Sequence, residues 1–172
     1  MDEQLLYERY LLSAYRFLNY RLRSEKEVRD NLLKKKASPE VIEKIISKLK
    51  EQRFLNDETF ARMWVESRSR TKPRSHYLLK LELRQKGIND EIIEKILNNE
   101  QRAKSKDEIF FSEKEIPSDI ELAKSLVEKK IKKYKGLQRQ EIYQKLGGVL
   151  GRKGFSWCII KRCIDDALDE EV

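Results

Sequence analysis

Four apolar positions spaced i, i+1, i+4 and i+5 recur three times along the chain, and each set fits one face of a 3.6-residue helix. The first set is Val41-Ile42-Glu43-Lys44-Ile45-Ile46. The pattern returns 51 residues later as Ile92-Ile93-Glu94-Lys95-Ile96-Leu97, and a further 67 residues on as Ile159-Ile160-Lys161-Arg162-Cys163-Ile164. Ser38, Asn89 and Ser156 stand at equivalent places just before these runs. All three residue types cap helices by accepting from orphan backbone N–H groups. Pro39 follows the first cap, where its missing donor costs nothing.

The same two offsets hold one helix earlier. Val28, Leu79 and Leu146 align, as do Leu32, Leu83 and Leu150, each pair four residues apart for a core-facing stripe. Gly87 and Gly154 close the second and third copies of this helix, where a left-handed residue is needed; the first copy has Lys36 there. Gly147-Gly148 sits inside the third copy and should weaken it by roughly 1 kcal/mol per glycine relative to alanine. A third helix precedes each pair, with Ala14, Ala61 and Ala123 aligned beside Phe17, Trp64 and Leu126. Ser24-x-x-Glu27 and Ser118-x-x-Glu121 read as capping boxes. The predicted fold is all-α, a tandem array of three three-helix repeats, elongated and curved as stacked repeats are. Its expected bounds are 1–54, 55–100 and 118–172, with a charged linker or insertion over 101–117 that carries Ile109-Phe110-Phe111.

Composition narrows the picture. Only nine of 172 residues are Gly or Pro, which disfavours a many-turned β-sandwich or barrel. The longest apolar run, Trp157–Ile160, is far short of a membrane span, and no leader opens the chain, so a cytoplasmic protein is expected. Cys158 and Cys163 are read as two buried thiols, because five residues apart on a helix they do not meet for a disulfide. No metal and no cofactor is expected, since the one histidine, His76, is distant from both cysteines. His76 aligns with Glu25 and Tyr143 of the other repeats and is read as exposed and inert. Phosphate-loop, nucleophile-elbow and zinc motifs are missing from the sequence, so no catalytic residue is assigned.

Charge says more. Lys and Arg outnumber Asp and Glu by 38 to 30, and charged residues make up 40% of the chain. The excess is concentrated in three blocks: +5 over 16–36, +6 over 62–86 and +5 over 124–135, each around the end of a repeat's first helix. Arg21, Arg68 and Lys130 coincide in the alignment, as do Arg23, Arg70 and Lys132. With Lys72, Arg74, Lys80, Arg84 and Lys133 they are read as a basic stripe suited to a phosphate backbone or an acidic protein groove. Tyr77, Tyr134 and Tyr143 lie in or near these blocks, where they could stack on bases or fill the core.

These residues also carry a resemblance. Leu55-Asn56-Asp57-Glu58-Thr59-Phe60-Ala61 with Trp64-Val65 and Arg68, then Leu81-Glu82-Leu83-Arg84-Gln85-Lys86-Gly87-Ile88 and Ile92-Ile93, resembles the central signature of the bacterial RecX family. Leu22-Arg23-Ser24-Glu25-Lys26-Glu27-Val28 is similar to that family's opening segment. The resemblance implies a non-enzymatic regulator that binds the RecA–DNA filament, limits its growth and restrains strand exchange, and a monomer is expected. It also implies contact with single- or double-stranded DNA through phosphates. A general DNA binder that acts by competition for DNA is the alternative, and a helical scaffold whose basic faces meet acidic proteins is a third reading. The 101–117 insertion and Lys36 depart from the family pattern.

Overall fold

A computed structural model describes residues 3–98, 116–134 and 136–169. Among them there is no strand. The first three-helix module is α1 (Glu3–Asn19), α2 (Glu25–Lys34) and α3 (Pro39–Glu51); the second is α4 (Asp57–Thr71), α5 (His76–Gln85) and α6 (Asp90–Leu97). The third is α7 (Asp119–Ile131), extended by a 3-10 turn (Lys132–Tyr134), then α8 (Arg139–Gly151) and α9 (Trp157–Asp169). Residues 101–115 of the expected linker lie outside the described residues.

Helix starts follow the capping residues. Ser38 Oγ accepts from Val41 N at 3.4 Å, and Asn89 Oδ1 accepts from Glu91 N at 3.0 Å. The Ser118–Glu121 box closes in both directions, Glu121 N to Ser118 Oγ at 3.3 Å and Ser118 N to Glu121 Oε2 at 2.7 Å. The expected box at Ser24 forms only by half. Ser24 Oγ accepts from Glu27 N, but the Glu27 carboxylate is drawn away to Arg21 at 2.9 Å and Lys86 at 2.5 Å. A charge-assisted bond outcompetes one to a backbone amide. Lys36 does what glycine does in the other modules, taking φ 64°. That conformation costs a non-glycine residue about 1–2 kcal/mol, offset by the bonds Lys36 N to Leu33 O at 2.8 Å and Ala37 N to Leu32 O at 3.1 Å. In α8, a Cβ on Gly147 would stand 3.2 Å from the Trp157 ring, so the glycine that weakens the helix makes room for α9.

The chain divides into two compact units. One takes in Met1–Met63 with Leu83–Ile96, the other Trp64–Glu82 with Leu97–Val172, so α4 and α5 contribute to both. The core of the first unit holds Val28, Leu32, Ile42, Ile45 and Leu49, all within about 1% of full burial. That of the second holds Ala123, Val127, Leu146, Leu150 and Ile164. These are the residues of the helical stripes, and each large aliphatic side chain buried stabilises the fold by about 1.5–3 kcal/mol. Cys163 lies on the α9 stripe and is buried. Cys158 lies off it and is exposed, which corrects the expectation of two buried thiols.

Consecutive modules are joined by one bond pattern used twice, once inside each unit. In the first unit, Glu25 N donates to Asp57 Oδ1 at 2.8 Å and Ser24 Oγ donates to Lys86 O at 2.7 Å. In the second, His76 N donates to Asp119 Oδ1 at 2.7 Å and Ser75 N donates to Lys153 O at 2.9 Å. Each time the start of a module's second helix meets the next module at an aspartate opening its first helix and at a Lys-Gly turn closing its second. The glycine permits the approach: a Cβ on Gly87 would fall 2.6 Å from Lys26 Cβ, and one on Gly154 would fall 2.5 Å from Ser75 Oγ. His76 is therefore not the exposed, inert residue expected from its alignment. It is half-buried at this junction, with Nε2 3.0 Å from the Pro117 carbonyl.

Candidate functional site

The repeated junction has a consequence for charge in the second unit. Ser75 N holds the Lys153 carbonyl, and that anchors the turn after α8 beside the turn between α4 and α5. Lys153 Nζ then donates to Pro73 O at 3.0 Å. Burial, together with the positive charges of Arg74 and Lys130, pushes the Lys153 ammonium below the ordinary lysine pKa. Three cations from three elements thus act on one another: Arg74 before α5, Lys130 on α7 and Lys153 after α8. Crowded like charges are relieved by an anion, which is the chemistry of a phosphate contact.

Arg74 and its neighbours are oriented by one carboxylate. Glu82, mostly buried on α5, accepts from Trp64 Nε1 at 2.8 Å and from Arg68 Nε at 3.0 Å, and it pairs with Arg74 Nη1 as well. The Arg68 guanidinium lies 4.4 Å over the Trp64 ring, a cation–π contact that fixes its plane. Of these cations, Arg68 and Arg74 share the carboxylate of Glu82. Arg70 is exposed with Glu66 at 3.4 Å, and Lys72 is exposed just past the end of α4. Lys80 is half-buried on α5, while Lys132 and Lys133 are exposed in the 3-10 turn after α7.

The remaining basic residues singled out from the sequence belong to the first unit and are engaged there. Arg21 forms a two-bond pair with Glu27, at 2.9 and 3.2 Å. Arg23 lies 3.9 Å over the Phe17 ring. Its Nε is buried without a hydrogen-bond partner, and burial plus the charge of Arg21 lowers its pKa. Arg84 grips Asp90 through two bonds of 2.6 and 3.0 Å.

Three participants were not read as site residues from the sequence: Lys153, Trp64 and Glu82. Lys153 carried a signal, because Lys86-Gly87 and Lys153-Gly154 are the same pair at the same place in two modules. Glu82 stood within the family signature, but its role as a shared partner is marked only by its neighbours in space. Of the tyrosines, Tyr143 donates to Asp165 and packs on the third module's core, as does Tyr134. Tyr77 is exposed. No helix among the described residues is long and apolar enough to cross a membrane.

Comparison with known proteins supports a single assignment. Family models described as the first, second and third three-helix domains of RecX match residues 11–49, 56–97 and 118–164. Regulatory protein RecX of Bacillus subtilis (strain 168) is 38% identical over 152 residues, covering 88% of this chain and 52% of that protein. Regulatory protein RecX of Bacillus pumilus (strain SAFR-032) is 35% identical over 158 residues, covering 91% of this chain and 54% of that one. The chain spans about half the length of the curated relatives it matches. The crystal structure of RecX from Lactobacillus salivarius superposes with a TM-score of 0.72 at 28% identity, covering 93% of this chain and 95% of that one. With three family domains in order along an all-helical chain, and with relatives named as regulatory proteins, the chain belongs to the RecX family.

Proposed function

We propose that this protein is a non-catalytic, cytoplasmic, monomeric regulator that binds the RecA–DNA filament and restrains its growth and strand exchange. It reaches DNA through phosphates, using Arg74, Lys130 and Lys153 at the centre, with Arg68, Arg70, Lys72, Lys80, Lys132 and Lys133 around them. Family membership supports the regulatory role. The observation that carries the site is the anchoring of Lys153 at the turn that holds Arg74, through Ser75 N to Lys153 O at 2.9 Å and Lys153 Nζ to Pro73 O at 3.0 Å, where burial and then the charges of Arg74 and Lys130 lower its pKa. Contacts from Arg and Lys to phosphate position a protein on the backbone without reading sequence. Arg21, Arg23 and Arg84 belong to the first unit rather than to the one that holds Lys153, and are assigned to holding that unit together through the partners they engage there.

The test is RecA-catalysed ATP hydrolysis on single-stranded DNA, titrated with this protein well below one molecule per RecA monomer. Hydrolysis should fall at low ratios with DNA in excess. Lys130→Glu with Lys132→Glu should remove most of that effect, whereas Arg16→Glu with Lys44→Glu, an equal change of charge elsewhere, should leave it. Inhibition that begins only when the protein saturates the DNA would replace this reading with a general DNA binder acting by competition. In that case affinity should fall with salt at a log–log slope of about −0.7 per single-strand phosphate neutralised.

A further inference from the structure

The junction pattern that joins modules has a third copy of its receiving half, on the first module, with different residues in it. The aspartates that accept at the junctions, Asp57 and Asp119, align with Tyr10 of α1. The lysines whose carbonyls accept, Lys86 and Lys153, align with Lys35, and the close-approach glycines align with Lys36. At this place the molecule has a groove of about 280 Å³, lined by Leu6, Arg9, Tyr10, Ser13 and Lys35. Tyr10 hydroxyl donates to Lys35 O at 3.2 Å, so the carbonyl that elsewhere accepts from an incoming helix is here held by the module's own tyrosine.

The substitutions change what the receiving surface can hold. Exchanging an aspartate for Tyr10 removes a negative charge, and exchanging a glycine for Lys36 adds a positive one beside Lys34 and Lys35, all three exposed at the end of α2. Arg9 adds a further cation on the α1 side of the groove. Lys36 also carries a side chain at the place where Lys26 closes on Gly87 and Ser75 on Gly154 in the two junctions, so an occupant cannot seat as deeply here. It must be held through side chains. The first junction supplies the template: Glu27, in the first turn of the incoming helix, reaches Lys86 Nζ at 2.5 Å. Lys35 is the equivalent of Lys86.

We propose that this groove is a docking site for the N-terminal turn of a helix on another protein, one with a Ser or Thr cap and acidic residues in its first turn. The acids pair with Lys35 and Arg9, the Tyr10 hydroxyl accepts one of the helix's first N–H groups, and Leu6 packs against an apolar residue one turn on. Charge complementarity and equivalence to the first intramolecular junction, where Glu27 pairs with Lys86, select this occupant. A second copy of this chain is disfavoured by α8, which begins a turn earlier than α2 and α5 and so places buried Ile142 where Ser24 and Ser75 cap those helices.

The experiment is a fluorescence-anisotropy titration of the full chain with a labelled, alanine-rich helical peptide that opens Ser-Glu-Ala-Glu, alongside a peptide of the same composition with its acids at the C-terminal end. The first peptide should bind at least tenfold tighter than the second. Lys35→Glu and Arg9→Glu should each weaken it at least tenfold, and Lys44→Glu, on an exposed face of α3, should not. Resonances of Tyr10 and Ser13 should shift on binding in an isotope-labelled sample. Equal losses for Lys35→Glu and Lys44→Glu would overturn the proposal in favour of diffuse charge attraction. No binding at millimolar peptide would overturn it outright. A concentration-dependent dimer of this chain abolished by Lys35→Glu would replace the proposed occupant with a second copy.

Discussion

Replacing Gly154 with alanine isolates what the module junction demands. Gly154 has φ +84°, and a Cβ there would stand 2.5 Å from Ser75 Oγ, 2.6 Å from Leu78 Cγ and 3.0 Å from Leu78 Cδ1. Two costs combine. The left-handed backbone costs an L-residue about 1–2 kcal/mol, partly offset by about 0.4–1 kcal/mol because alanine also restricts the unfolded chain. Forcing a methyl into a packed contact adds about 1–3 kcal/mol. Gly136 separates the two, because it has φ +86° but a Cβ there meets no described atom within 4 Å. Gly136→Ala should therefore cost about 1 kcal/mol and Gly154→Ala about 2–4 kcal/mol. Urea unfolding followed by circular dichroism measures the difference. At a typical slope of about 2 kcal/mol per molar, Gly154→Ala should move the midpoint about 1 M further down than Gly136→Ala does. Equal shifts would refute the reasoning, since Gly154 would then serve the turn alone and the contact with Ser75 and Leu78 would contribute nothing.

Acid stability of the first unit should depend on opposed carboxylates. Burial works against the shift at Glu25 and Glu27, yet bonds from Lys50 and Arg29 to the first and from Arg21 and Lys86 to the second hold both below the ordinary carboxylate range. Their contribution is present above that range and is lost as pH falls through it. Asp57 runs the other way: burial, with the Glu25 charge, raises its pKa, so its cost is relieved as pH falls. Urea midpoints measured from about pH 6 to about pH 3 should fall, less steeply for Glu25→Gln and more steeply for Asp57→Asn. Parallel curves for all three proteins would contradict this. The thiols should also divide. A disulfide reagent should titrate one thiol per native chain, at exposed Cys158, and a second only in denaturant, because Cys163 is buried and its pKa is raised by burial and by Asp166. Two fast native equivalents would refute the burial.

The helices were readable because their information is local. A 3.6-residue period places Val41, Ile42, Ile45 and Ile46 on one face whatever that face meets, and Ser38 or Ser118 caps its helix with bonds three residues away. Cys158 shows the limit of reading by residue type. It is one position before the stripe, and the period, properly applied, puts it outside.

The basic residues were readable as an excess but not as a site. Charge blocks follow from counting, whereas the role of each cation depends on which carboxylate a separate helix brings within about 3 Å. Arg84 and Arg74 look alike in sequence, yet one is gripped by Asp90 in the first unit while the other shares Glu82 with Arg68 in the second.

From the sequence alone come three helical modules, their caps, their core stripes and the glycines where a left-handed turn is required. These rest on backbone geometry that repeats within a few residues. Tertiary structure decided that Asp57 and Asp119 receive the preceding module, that Lys153 stands among Arg74 and Lys130, and that Glu27 leaves its cap for Lys86. Each of these is a contact between elements tens of residues apart, and a side chain's choice among several available partners is made by distance and burial, which only the folded chain supplies.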